Sequence, residues 1–282
     1  MRDLGTPVLD NHLHLDRKGQ GIEAVRDFVR SGGTHLLVVN KPSWHLGIEP
    51  SSGTDFDAVF EETLSLVAEA TEILPGRAWA VLGVHPALIS RLIDERGMSV
   101  TEAKELMQAG LSRAGEYATS DDVVAIKSGR PHYDVETSVW EAANDVLRHA
   151  LEAGAKADVA VQLHTEQTED LTPVAKWARA AGLAPEKVVK HYSSGRLAGV
   201  TPSVMSRKEY LETAIETDEQ FLMETDFVDD PDRPGAVMGP KTVPRRVNWL
   251  LENGHETVVE TAHVETPRAI YGIDTQETLN RE

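Results

Sequence analysis

Short apolar runs rich in β-branched residues recur along the chain, and stretches of helical periodicity separate most of them. The runs occupy residues 7–11, 34–40, 78–83, 123–127, 159–163, 187–190, 200–205 and 220–224. The helical stretches occupy 21–31, 55–73, 101–117, 136–155, 170–181 and 207–217, with 243–251 and 257–263 closing the chain. Parallel neighbours need a crossover of about a dozen residues or more, usually a helix, whereas antiparallel ones need only a tight turn. The alternation therefore predicts a parallel sheet. The run THLLVVN and the VV of KVVK lack polar alternation, as strands covered on both faces do. Eight such units predict an α/β fold of the (β/α)8 TIM-barrel type, and 282 residues suffice for the roughly 250 it needs. An open doubly wound sheet competes, but no GxGxxG follows the first run. The gap after Lys190 is short for a helix. The Pro- and Gly-rich segments 41–54 and 229–240 are followed by no change of composition, so residues 1–282 read as one domain.

In a barrel of this kind the C-terminal strand ends surround one pocket. The stretch VLDNHLHLD brings His12 and His14 to the end of the first strand, and residues i and i+2 of a strand share a face. Alone, an HxH is a weak signal, shared by metal pairs and by surface histidines. Other strand ends carry His85 in GVHP, Lys127 in AIKSGRPHY, His164 in VQLHTE, His191 in VVKHYS and Asp226 in FLMETD. Their joint occurrence at strands one, five, six and eight says far more than any one of them. The chain has no cysteine. A metal would therefore be held by imidazole, carboxylate or a modified lysine.

The motifs DNHLHLD, LGVHP, VQLHTE, VVKHYS and METDF, followed by VETPRAIYGI, resemble those of amidohydrolase-type metal barrels. More closely they resemble the TatD-related deoxyribonuclease family of metal-dependent hydrolases. The resemblance implies that His12 and His14 hold one divalent ion and His164 and His191 a second. It implies that Asp226 touches the first ion and orients or deprotonates the attacking water. One or two ions are expected; zinc suits the histidine-rich set, with magnesium or manganese as alternatives. Two ions can clamp the attacking and leaving oxygens of a phosphoester. One position departs from the family. Where its GEIG motif supplies a bridging glutamate, this chain reads Ile126-Lys127-Ser128-Gly129. Three states are open to Lys127: a carbamate formed with CO2 that replaces the glutamate, a neutral amine beside one metal, or a substrate contact in a metal-poor site.

His85, Arg130, His132, Lys241 and Arg245 are expected to reach substrate, the last two near a corner where barrels often bind phosphate. Glu166 is expected to orient a ligand imidazole, and Glu224 to do likewise or to pack away. His35, His45, His149, His255 and His263 read as surface or packing residues. The 46 acidic against 28 basic residues give a formal charge of −18, which argues against tracking a long nucleic-acid backbone and suits an acidic, salt-adapted protein. A small molecule or a nucleic-acid end is the expected substrate, and no obligate protein partner is evident. No apolar run approaches a membrane span and the first residues lack a secretory apolar segment, so the expected place is the cytoplasm. The expected activity is metal-dependent phosphoester hydrolysis. Amide, lactone or phosphotriester hydrolysis with a carbamylated lysine is the alternative, and a non-catalytic metal-binding barrel a third.

Overall fold

Nine strands, all parallel, form one sheet among the residues described in this computed structural model, 4–217, 219–233 and 237–280. They are β1 (Leu9–His14), β2 (His35–Val39), β3 (Ala78–Gly83), β4 (Val123–Gly129), β5 (Ala160–His164), β6 (Val188–Ser193), β7 (Thr201–Met205), β8 (Leu222–Glu224) and β9 (Phe227–Val228). Their order is β8-β7-β6-β5-β4-β3-β2-β1-β9. β8 and β9 are successive pieces of one extended segment, so the two edges of the sheet meet there: β8 bonds to β7 and β9 to β1. This is the (β/α)8 barrel with its eighth strand split. β1 runs through His14, so the HxH lies inside the strand and not after it. Between β6 and β7 no helix forms among the described residues; a loop makes the crossover.

Alternation divides the strand side chains between two cores. Leu36, Val38, Leu82, Ile126 and Val161 face outward onto the helices. Against them the helix Thr137–Ala157 packs Val146, Leu147, Ala150 and Leu151, all fully buried. Each such Val or Leu side chain contributes about 1.5–3 kcal/mol. Leu9, Leu37, Val81, Ala125, Ala160, Val189 and Leu222 form the second core, which Ile270 and Ile273 join from the end of the chain. Further along the same strands the interior turns polar, at His12, Lys127, Gln162, His191 and Glu224.

The split in the eighth strand falls on Thr225 and Asp226. The buried Asp10 carboxylate accepts the Thr225 N–H (3.0 Å) and hydroxyl (2.7 Å), and the Asp226 N–H donates to the carbonyl of His12 (3.0 Å). Asp226 is held at φ 46°, a region that non-glycine residues seldom adopt. Tyr192, next to His191, shares this property at φ 59°. At these two positions the strain sits on strand ends that carry candidate ligands; the third such residue, Asp158 at φ 55°, caps the helix Thr137–Ala157. No helix among the described residues is long and apolar enough to cross a membrane.

Candidate metal centre

The imidazoles at the strand ends are oriented from behind. His12 Nδ1 lies 2.7 Å from Gln162 Oε1, and the Gln162 amide is itself pinned, donating to the carbonyl of Asn11 (3.1 Å) and to the Tyr271 hydroxyl (3.0 Å). With its amide nitrogen so engaged, Gln162 presents an oxygen to His12, which places the His12 proton on Nδ1 and leaves Nε2 as a lone pair. His14 Nδ1 meets the carbonyl of Val39 at 2.8 Å, with the same result. His191 Nδ1 meets Glu224 Oε1 at 3.3 Å, and Glu224 also accepts the Tyr192 N–H (2.7 Å) and the Ser203 hydroxyl. An acceptor behind each ring that fixes its tautomer is what metal-binding histidines need.

The free nitrogens converge. Asp226 Oδ1 lies 3.9 Å from His12 Nε2 and 3.7 Å from His14 Nε2. Donor atoms of His12, His191 and Asp226 all lie within 4.8 Å of one another, and all three residues are buried. Burial holds His12, His14, His164 and His191 well below the ordinary imidazole range; the Lys127 charge adds to this for His12 and His14, and neighbouring imidazoles add for His164 and His191. They are therefore neutral, and their approaches to Asp226 are lone-pair contacts and not ion pairs. Burial raises Asp226 to about 6, against the opposing pull of Lys127 and Lys190. Neutral imidazoles with one carboxylate, spaced beyond hydrogen-bond distance around a common point, fit a divalent cation held by bonds of about 2.0–2.2 Å.

A second grouping adjoins the first. His164 Nδ1 lies 2.7 Å from His191 Nε2, and His164 Nε2 lies 3.0 Å from His132 Nδ1. Without a cation a proton bridges the first pair. For both facing nitrogens to serve as ligands, His164 must carry its proton on Nε2, where His132 stands to accept it. Lys127 Nζ completes the set, 3.4 Å from His12 Nε2 and 2% exposed, its amine lowered to about 8 by burial. Gly83 is required beside it, since a Cβ there would stand 1.9 Å from the carbonyl oxygen of Lys127.

These groups line a cavity of about 160 Å³. His14, His85, Lys127, His164, His191 and Asp226 contribute to its wall, while His12 stands behind them, fully buried. Lys41, His45 and Arg233 also line it. The sequence reads His45 as a surface or packing residue and does not single out Lys41 or Arg233, although Lys41 follows β2 at the rim where the others sit. Three expected substrate contacts lie elsewhere. Arg130 is drawn into an ion pair with Glu166, bonds Asn144 (3.1 Å) and stacks on Trp140, 4.8 Å from the ring centre. Glu166 is thereby spent on Arg130 and orients no imidazole. Lys241 pairs with Asp27 at 2.7 Å, and Arg245 is exposed on the helix Thr242–Glu252. A larger open groove, of about 530 Å³, runs past Ser90, Asp94, Tyr133 and Glu136, but no histidine lines it.

The profile of the TatD-related DNase family matches residues 9–272. The chain belongs to that family. It is 35% identical over 285 residues to the uncharacterized protein MJ1127 of Methanocaldococcus jannaschii, covering 95% of this chain and 96% of that protein. Among solved structures it is similar to YjjV, a TatD homolog of Escherichia coli K12, with a TM-score of 0.63, 18% identity and coverage of 94% and 98% of the two chains. It is also similar to the organophosphorus hydrolase of Deinococcus radiodurans, with a TM-score of 0.59, 11% identity and coverage of 94% and 92%. At these identities the two structures speak to the fold alone. Family and fold are those of metal-dependent hydrolases.

Proposed function

We propose that this member of the family is a zinc-dependent hydrolase that directs water at the phosphorus of a small phosphoester or of a nucleic-acid end. The observation that supports it most is the set of fixed Nδ1 atoms that leaves imidazole lone pairs facing Asp226. A histidine-rich set with one carboxylate suits zinc. Bound divalent ions would supply Lewis acidity and make water a nucleophile near neutral pH. His12, His14 and Asp226 would hold one ion, and His164 and His191 the second. The chain's own chemistry is to orient these ligands, to take the proton of the attacking water at Asp226 and to pass it on.

Lys127 is read as the bridge. As an ammonium it would repel two cations; with its amine lowered to about 8, roughly a tenth is neutral at pH 7. The neutral amine attacks CO2, an N–C bond forms, and one amine proton leaves to water. The product is a carbamate anion, which supplies the carboxylate that the family's glutamate supplies elsewhere. The same lysine favours a second reading, hydrolysis of a lactone or phosphotriester. Proteins described as organophosphorus hydrolase and PTE-like lactonase share the fold. The formal charge of −18 weighs against long duplexes under either reading.

A substrate panel on zinc-loaded protein tests the reading. Turnover of a phosphodiester such as bis(p-nitrophenyl) phosphate, lost in Asp226→Asn, is expected. Turnover of lactones or amides with none of phosphodiesters would transfer the assignment to the second reading.

A further inference from the structure

Lys41 presents an arrangement that the hydrolytic machinery does not use. It lies just past β2, is 5% exposed and lines the cavity beside His14 and His45. Its Nζ lies 2.6 Å from Asp16 Oδ2 and 2.6 Å from the carbonyl oxygen of Asp229. An ammonium has three N–H donors. Two are committed, and among the described residues the third has no acceptor.

Both acceptors are themselves fixed. The Asp229 carboxylate takes the backbone N–H groups of Asp16 (3.0 Å), Gln20 (2.8 Å) and Gly21 (2.7 Å). Asp16 Oδ1 takes the N–H of Lys18 (2.8 Å). The wrap demands glycine, since a Cβ at Gly19 would stand 2.1 Å from Asp229 Oδ1. Lys41 therefore cannot swing away without dismantling the segment 16–21. A tie between β1 and β9 alone would be complete with two bonds, and it would not place a charged donor in the cavity wall.

Among the other basic residues of this wall, Arg233 is exposed and paired with Asp230 at 2.8 Å, and Lys127 is assigned to the carbamate bridge, so the third N–H of Lys41 is the donor left to meet an anion. The cavity's volume of about 160 Å³ lies below the roughly 300–1,000 Å³ of pockets for drug-sized ligands. We infer that Lys41 is an anion anchor: the substrate is a compact molecule that carries, besides the bond to be cleaved, a carboxylate or phosphate whose oxygen takes the third N–H of Lys41. This specificity role rests on the hydrolytic reading above.

Matched substrates test it on zinc-loaded protein: methyl p-nitrophenyl phosphate, its carboxymethyl analogue and its phosphonomethyl analogue. The expected result is a preference of about tenfold or more in kcat/KM for one or both charged members, carried by KM, as one charge-assisted hydrogen bond provides. Which member gains identifies the anion. Lys41→Gln with Asp16→Asn removes both charges together, so that no buried carboxylate is left unpaired. In that variant the preference should fall to about one. A wild-type ratio near one, or a ratio unchanged in the double variant, overturns the anchor. If no member is cleaved, the bond assigned above is wrong, and binding decides the anchor separately. Calorimetric titration of metal-free protein with malonate should then show affinity that drops about tenfold or more in the double variant. Equal affinity, or no binding to either protein, overturns it.

Discussion

The barrel interior holds two populations of buried histidine, and the contrast between them shows what separates a site from a core. His35, at the start of β2, is fully buried, with Nδ1 2.7 Å from the Thr34 hydroxyl and Nε2 2.9 Å from that of Thr278. His263 is fully buried and accepts the Leu9 N–H at 3.0 Å. Burial lowers both to about 3. At the other end of the strands His12, His14, His164 and His191 are lowered by the same cause. Burial and weakened basicity are thus common to both groups. What differs is the second nitrogen. His35 has both nitrogens engaged by hydroxyls, and the second nitrogen of His263 is buried without a partner and belongs to no cluster of ligand-type groups among the described residues, whereas the upper rings keep one nitrogen directed at Asp226 or at one another.

The comparison is broken most severely by removing the group on which the upper rings converge. Asp226→Asn should lower kcat by about 10²–10⁴-fold, while His35→Gln leaves kcat within a few-fold; steady-state kinetics on zinc-loaded protein checks both. Next in size is the support behind the rings. Gln162→Leu removes the acceptor of His12 Nδ1 and should weaken metal binding about 10–100-fold, measured by competition with a chromogenic chelator. An affinity unchanged in Gln162→Leu would mean that the orientation of His12 does not depend on this contact.

The lower pair makes its own prediction. The folded pKa values of His35 and His263 are depressed, so as pH falls the unfolded chain takes up these protons first. Their contribution to stability is full above about pH 6.5 and is lost toward pH 3. From pH 7 to pH 5 each accounts for about 2 kcal/mol of lost stability. Urea unfolding of His35→Gln should therefore show a loss over that interval about 2 kcal/mol smaller than wild type does. The smallest effect is expected at Arg245, exposed on its helix: Arg245→Ala should change stability by less than about 0.5 kcal/mol and leave KM unaltered.

Much of this could be read in the sequence. The alternation of apolar runs and helical stretches marks the strands, because parallel pairing imposes it, and the strand ends carry the imidazoles His12, His14, His164 and His191. The departures have physical causes. The eighth strand breaks because Asp10, far away in sequence, captures Thr225. Arg130 stands near the site in sequence, but Glu166 and Trp140 satisfy its guanidinium elsewhere. Lys41 is fixed in the cavity wall by Asp16 and by the carbonyl of Asp229, whose carboxylate gathers three backbone N–H groups; no local pattern announces such a cage. Likewise Tyr271, near the end of the chain, reaches Asn11 and Gln162 beneath His12, a contact made only by closing the barrel.

The central claim is that the upper histidines form a metal centre and the lower ones do not. Metal content after zinc loading and desalting, measured by mass spectrometry of the element, tests it directly in wild type, His191→Ala and His35→Gln. About two equivalents are expected in wild type and in His35→Gln, and one or fewer in His191→Ala. Protein that takes up no zinc, or a stoichiometry indifferent to His191, would contradict it.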